Sequence, residues 1–156
     1  MSVSYIGIGS NLGIRQENCF RAIEILEKRG IKVQKKSSLY ETEPWGVKDQ
    51  PRFINMVVQI ETTLEPNDLL RVLKDIEKEI GRQDSFRWGP RMIDLDILLF
   101  NALVLNEKDL QIPHPYLHER EFVLRPLSEI APDVMHPVFH MSIYKLTQNI
   151  LKGRDE

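Results

Sequence analysis

The sequence predicts an α+β domain with the chain order β-α-β-β-α-β. Three observations carry this. Apolar, β-branched runs alternate with segments whose apolar residues recur at helical spacing. Glycine or proline stands at most junctions between them. Two strand patterns follow one another directly between the two helices. That is the ferredoxin-like signature, and it implies a mainly antiparallel sheet with both helices on one face. An extra C-terminal hairpin and helices follow the core.

Residues 3–8 are apolar and β-prone, and they end at the turn signal Gly9-Ser10-Asn11. Residues 16–29 form the first helix, with Cys19, Ala22, Ile23 and Leu26 as its stripe and Gly30 as its stop. Residues 31–40 alternate as one strand. Pro44, Gly46 and Pro51 make 41–52 a loop, and 53–61 are a strong strand. Pro66 opens the second helix, where Leu69, Leu73, Ile76 and Ile80 share a face and Gly81 ends it. Residues 82–91 are a polar loop and 92–100 a strand. Beyond lie a hairpin within 103–112 around Asn106-Glu107, a helix over 119–130 interrupted by Pro126, and a last helix capped by Ser142 and carrying Ile143, Leu146 and Ile150.

The bulk numbers exclude several classes. A chain of 156 residues is read as a single domain over 1–156, large enough to need no disulfide or structural metal. With 21 basic and 23 acidic residues, global charge gives no reason to expect a nucleic-acid scaffold. No apolar run approaches the roughly 20 residues of a membrane span. The N-terminal segment MSVSYIG lacks the features of a secretory signal, and Cys19, the one cysteine, fits a reducing compartment. A cytoplasmic protein is expected, with no nucleic-acid or membrane partner.

The segment RWGPRMIDLDILLF, 87–100, carries the chemistry. Alternation puts Ile93, Leu95, Ile97 and Leu99 on one face, and Met92, Asp94, Asp96, Leu98 and Phe100 on the other. Asp94 and Asp96 then project together, about 6.5 Å apart along the strand. Such a pair is either a half-solvated face with ion pairs or a Mg²⁺ site, since Mg²⁺ takes one or two carboxylates plus waters and substrate phosphates. Arg82, Arg87 and Arg91 crowd the preceding loop around Trp88. Arginine's planar fork suits polyphosphate, and a tryptophan can stack on a base or close over a site. The glycine-rich GIGSNLG, 7–13, lacks the G-K-[ST] ending of a P-loop.

That segment, with YIGIGSNLG (5–13), YETEPWG (40–46), DQPRFINMVVQIET (49–62) and IPHPYLHEREFVLRPLSEIAP (112–132), resembles the 6-hydroxymethyl-7,8-dihydropterin pyrophosphokinase family of folate biosynthesis. The motifs fall in the expected order over 5–132. The resemblance implies a ferredoxin-like α+β core and transfer of the diphosphate of ATP to the hydroxymethyl group of a reduced pterin, with release of AMP. It implies Asp94 and Asp96 as ligands of two Mg²⁺ ions, Arg82 and Arg91 as catalytic loop arginines, and Arg87 and Trp88 beside them over the nucleotide. Lys74, Glu77, Ile97, His114, Tyr116 and Arg120 fall on the ATP-contacting segments. Thr42, Glu43, Pro44, Trp45, Phe53, Asn55 and Phe122 fall on the pterin pocket.

The chemistry of the residues agrees. Phe53 and Phe122 suit the faces of a flat heteroaromatic ring, and Asn55 offers its edge two donors and an acceptor. Departures from the family pattern are Asp84 for a second arginine, Glu43 for a small residue or proline, and Trp45 for a smaller side chain. Phe53 stands where tyrosine is frequent, and Tyr116 where arginine is. ATP and a reduced pterin are the expected partners, and a monomer the expected state.

Overall fold

The computed structural model describes residues 1–42, 52–81 and 92–154. The order is β1 (Ser2–Ser10), α1 (Arg15–Lys28), β2 (Lys32–Lys36), β3 (Tyr40–Thr42), β4 (Phe53–Thr62), α2 (Pro66–Gly81), β5 (Asp94–Phe100), β6 (Leu105–Asn106), β7 (Gln111–Ile112), α3 (Glu121–Ile130) and α4 (Ile143–Arg154). The main sheet runs β2-β4-β1-β5, with β3 also on β4, and every pairing is antiparallel. This is the α+β, ferredoxin-like arrangement that the element order predicts.

Two cores sandwich the sheet. On one face, Cys19, Ala22 and Leu26 of α1 and Leu69, Leu73 and Ile76 of α2 meet Ile6, Ile8, Met56, Val58, Ile60, Leu95 and Ile97. Both helices therefore lie on one side, as their stripes require. Each fully buried leucine or isoleucine there contributes roughly 1.5–3 kcal/mol. On the other face, Leu124 and Leu127 of α3 and Ile143 and Leu146 of α4 cover Tyr5, Val57, Leu98 and Leu99. Gly30, at φ +81°, ends α1; its own N–H and that of Ile31 bond back to Glu27 and Leu26 carbonyls. Ser142 caps α4 as expected, its Oγ accepting the Lys145 amide at 3.0 Å.

Four sequence expectations change. The single strand over 31–40 is two strands, β2 and β3. Between them the buried Ser37 pairs with Val57 through both its amide and its Oγ, and Ser38 turns its amide away to Glu129 on α3. In β5, the register against β1 shifts: Tyr5 opposes Leu99, but Ile6 opposes Ile97. This bulge reverses the alternation beyond it. Leu99 packs with Leu98 in the second core, and Phe100 joins the first. The hairpin turns over residues 107–110, with the Glu107 amide on the Leu110 carbonyl, later than Asn106-Glu107. The helix expected from 119 starts instead as a 3-10 turn, Leu117–Glu119, then runs unbroken through Pro126.

Candidate active site

The sheet register builds a site on the face that carries the second core. Gly9 of β1 opposes Asn55 of β4 on one side and Asp94 of β5 on the other. Gly7 likewise opposes Val57 and Asp96. Directly opposed residues share a face. Asp94, Asp96 and Asn55 thus project together, across a central strand that offers two glycines in place of side chains. A Cβ on Gly9 would stand 2.8 Å from Asn55 Oδ1, so any side chain there must displace that amide.

Asp94 is half-buried and Asp96 exposed. Among the described residues, no group of three or more histidine, cysteine or acidic side chains could hold a metal. Two adjacent carboxylates on an open floor are hard oxygen donors short of a full cage. That donor set fits Mg²⁺, which completes its shell with water and phosphate oxygens.

The outer edge of β5 is held by two residues the sequence singled out. Glu77 of α2 accepts the Leu95 amide at 2.9 Å, between the two aspartates, and lies 3.5 Å from Lys74 Nζ. Burial pushes the Glu77 carboxyl above its ordinary range; the Leu95 amide and Lys74 pull it back, and Asp96 adds to the rise. The His114 amide donates to the Leu98 carbonyl at 3.0 Å. His114 Nδ1 accepts the Tyr116 amide at 3.2 Å, so the neutral ring carries its proton on Nε2. Burial lowers the His114 pKa, with Asp96 opposing that and Arg120 reinforcing it. The Arg120 guanidinium lies over both the exposed Tyr116 ring, at 5.0 Å, and the Phe122 ring, at 5.6 Å.

At the opposite side of the glycine floor, Thr42 opposes Phe53 and Tyr40 opposes Asn55. Asn55 Nδ2 donates to Thr42 Oγ1 at 2.7 Å, which fixes the amide and carries its Oδ1 over Gly9. Thr42, Phe53, Asn55 and Phe122 are all half-buried, the exposure of a lining able to take a flat ligand. From the other face, Arg15 Nη1 donates to the Arg52 carbonyl at 2.6 Å and sits 3.6 Å from Glu41, tying β3 to the residue before β4.

Of the expected residues, Asp94, Asp96, Asn55, Thr42 and Phe53 are brought onto one face, with Glu77 and His114 along its rim. Ile97 is 4% exposed in the first core, so its side chain is packing and only its backbone is available to a ligand. Glu43, Pro44, Trp45, Arg82, Arg87, Trp88 and Arg91 lie outside the described residues. Read as a turn and an incomplete phosphate loop, GIGSNLG does not single out Gly7 and Gly9. Their signal is two glycines two apart inside a strand pattern, which marks close approach to one face.

The family model described as 7,8-dihydro-6-hydroxymethylpterin-pyrophosphokinase (HPPK) matches residues 5–132. The chain belongs to this family. It is 42% identical over 153 residues to 2-amino-4-hydroxy-6-hydroxymethyldihydropteridine pyrophosphokinase of Aquifex aeolicus, covering 97% of this chain and 95% of that one. The Bacillus subtilis protein of the same name is 46% identical over 134 residues, 85% of this chain and 80% of its own. A longer relative, folic acid synthesis protein fol1 of Schizosaccharomyces pombe, is 47% identical over 142 residues; they cover 90% of this chain but 19% of that one. A crystal structure of Plasmodium falciparum HPPK-DHPS superposes with a TM-score of 0.81 at 18% identity, over 99% of this chain and 46% of that one, and confirms the fold.

Proposed function

We propose that this HPPK-family chain transfers the diphosphate of ATP to the hydroxymethyl group of 6-hydroxymethyl-7,8-dihydropterin, releasing AMP, in folate biosynthesis, and that the glycine-floored face is where it does so. The observation that carries the siting is the row Asp94–Gly9–Asn55. In that row a carboxylate suited to a metal and an amide suited to a heterocycle's edge stand on opposite sides of a bare strand. A pterin edge bonded to Asn55, between Phe53 and Phe122, lies across that strand from the aspartates.

The reaction is an in-line attack of the hydroxymethyl oxygen on the β-phosphorus of ATP. The new O–P bond forms as the bond from the β-phosphorus to the oxygen bridging it to the α-phosphorus breaks, AMP leaves with that oxygen, and the hydroxyl proton passes to solvent. Asp94 and Asp96 would hold two Mg²⁺ ions, which neutralise phosphate charge and align the attacking and leaving oxygens when bound. Phosphoryl transfer rests on positioning and electrostatics, so no side chain is assigned as general base.

His114, Tyr116 and Arg120 are assigned to the nucleotide, with Lys74, Glu77 and the Ile97 backbone. Neutral His114 offers an Nε2 proton to an oxygen acceptor. Arg82 and Arg91 are assigned to the developing charge on departing AMP, and Arg87 and Trp88 to closure over the nucleotide. Glu43, Pro44 and Trp45 complete the pterin side with Thr42. We place the protein in the cytoplasm as a monomeric single domain, in keeping with its lone buried cysteine.

The test is AMP release from ATP and Mg²⁺ with hydroxymethyl-dihydropterin, the pterin omitted as control. Pterin-dependent AMP in a one-to-one ratio with the diphosphorylated pterin is expected. Release of ADP, or AMP formation indifferent to the pterin, overturns the reading.

A further inference from the structure

Glu129, near the C-terminal end of α3, makes a cluster of contacts that the reaction above does not use. Its Oε1 accepts the Tyr40 hydroxyl at 2.6 Å, and its two carboxylate oxygens accept the Ser38 amide at 3.1 and 3.0 Å. Oε2 also accepts the Ser38 hydroxyl at 3.0 Å. Three donors thus converge on one carboxylate. They hold its pKa below the ordinary range although burial opposes this, while the Tyr40 phenol is pushed up to about 12, chiefly by burial and then by Glu129.

The placement matters because of what each end carries. Tyr40 opens β3, a strand of three residues at the sheet edge, held by three paired positions on β4. So short an edge strand is weakly fixed by its ladder alone. It carries Thr42, the partner of Asn55. At the other end, Glu129 lies seven residues after Phe122 on the same helix, and positions i and i+7 share a face. Phe122 and Glu129 therefore belong to one stripe of α3. The carboxylate fastens the strand bearing Thr42 to the helix bearing Phe122.

We propose that Glu129 is a positioning residue for the pterin: through Tyr40 and Ser38 it sets the spacing between the Thr42–Asn55 edge and the Phe122 ring. The proposal rests on the assignment of these residues to the pterin and adds the element that holds them apart. The pterin is assigned contacts on both sides of that spacing, whereas Asp94, Asp96, Lys74 and Glu77, assigned to the nucleotide and its metals, stand on β5 and α2. The device acts on one substrate of the two.

The experiment measures binding constants for hydroxymethyl-dihydropterin and for a nonhydrolysable ATP analogue with Mg²⁺, on the full chain and on Ser38→Ala, Tyr40→Phe, Glu129→Gln and Glu129→Ala. Pterin binding should weaken in a graded way, by about threefold for Tyr40→Phe and about tenfold for Glu129→Ala, as one and then several charge-assisted hydrogen bonds are lost. Glu129→Gln, which keeps one acceptor oxygen, should fall between. The ATP-analogue constant should stay within about twofold throughout. If Glu129→Ala fails to fold, Tyr40→Phe and Ser38→Ala decide the matter, since each deletes one hydroxyl. Pterin constants equal to the parent's in the folded variants, or equal losses for both ligands, overturn the proposal. A parent chain that binds no pterin at all overturns instead the functional reading beneath it.

Discussion

Glu77 Oε2 accepts the amide of Leu95, the residue between the two aspartates, at 2.9 Å. An acid on α2 thereby grips β5 between its two aspartates. Burial raises the Glu77 pKa, so the folded chain holds its proton to higher pH than the unfolded chain does. Above that raised value the carboxylate costs stability, and the cost is relieved as pH falls through it toward the ordinary 4.5. Glu77→Gln keeps an oxygen for the Leu95 amide. It should melt no lower than the parent at pH 7, with any advantage fading toward pH 4.5, while ATP-analogue affinity falls. Thermal melts across pH, with calorimetric titration of the analogue, check this; a clear loss of stability at pH 7 contradicts it.

Asp94→Asn and Asp96→Asn separate a metal site from a structural pair. Each should lower turnover by more than about 100-fold, since even outer partners of a metal ligand cost 10- to 100-fold. The metal-free variants should melt at or above the parent temperature, because carboxylate repulsion is relieved. Loss of about 3–5 kcal/mol with activity retained marks a structural, partnered charge instead.

The two floor glycines should behave differently. A Cβ at Gly9 meets Asn55 Oδ1 at 2.8 Å, whereas one at Gly7 meets Leu98 Cδ2 at an ordinary 3.5 Å. Gly9→Ala must displace the Asn55 amide and its bond to Thr42. Pterin binding should weaken about tenfold, because losing a half-buried hydrogen bond costs roughly 1–3 kcal/mol. Gly7→Ala should bind pterin as the parent does. Titration of pterin into both proteins, with melts to confirm folding, reads the contrast.

His136 predicts an acid-sensitive fold away from the site. The residue is 3% exposed, its ring stacks on Phe139 at 4.4 Å, and its Nδ1 accepts the Val138 and Phe139 amides at 3.2 and 3.1 Å. Burial lowers its pKa, and His118 and His140 lower it further. The folded chain thus binds this proton less readily than the unfolded chain. The stability contributed by the neutral ring is full above about pH 6.5, declines as pH falls toward the depressed value, and levels off below it. His136→Asn keeps an acceptor but cannot titrate, so urea unfolding of the two proteins at stepped pH should converge as the parent loses stability. Parallel profiles contradict this.

Local pattern made much of this legible. Helical stripes placed α1 and α2 on one face, and period-two alternation put Asp94 and Asp96 side by side. What stayed hidden depends on pairing between distant segments. The bulge in β5 is set by Tyr5 and Ile6 on β1, and alternation within β5 carries no trace of it. The break between β2 and β3 depends on Ser38 meeting Glu129, 91 positions away. The role of Gly9 requires knowing that Asn55 lies opposite it. Ile97 shows the same limit, since position along the strand does not tell that its side chain lies in the core.

The bulge at the end of β5 also limits how this gene segment can vary in length. Residues up to Asp96 are positioned by their pairing with Gly7 and Gly9, while Leu99 enters the second core and Phe100 the first, rather than the reverse, because Leu98 is left unmatched. Deleting the unmatched Leu98 would leave Leu99 opposite Tyr5 and Phe100 opposite Ser4, each on its present face, whereas inserting one residue after Asp96 would send Leu99 toward α1 and α2 and Phe100 toward α3 and α4. Substitutions there are matters of size; insertions are matters of sidedness. Tolerance to insertions should therefore begin only at Asn101, where the chain turns with φ at +49° and leaves the sheet.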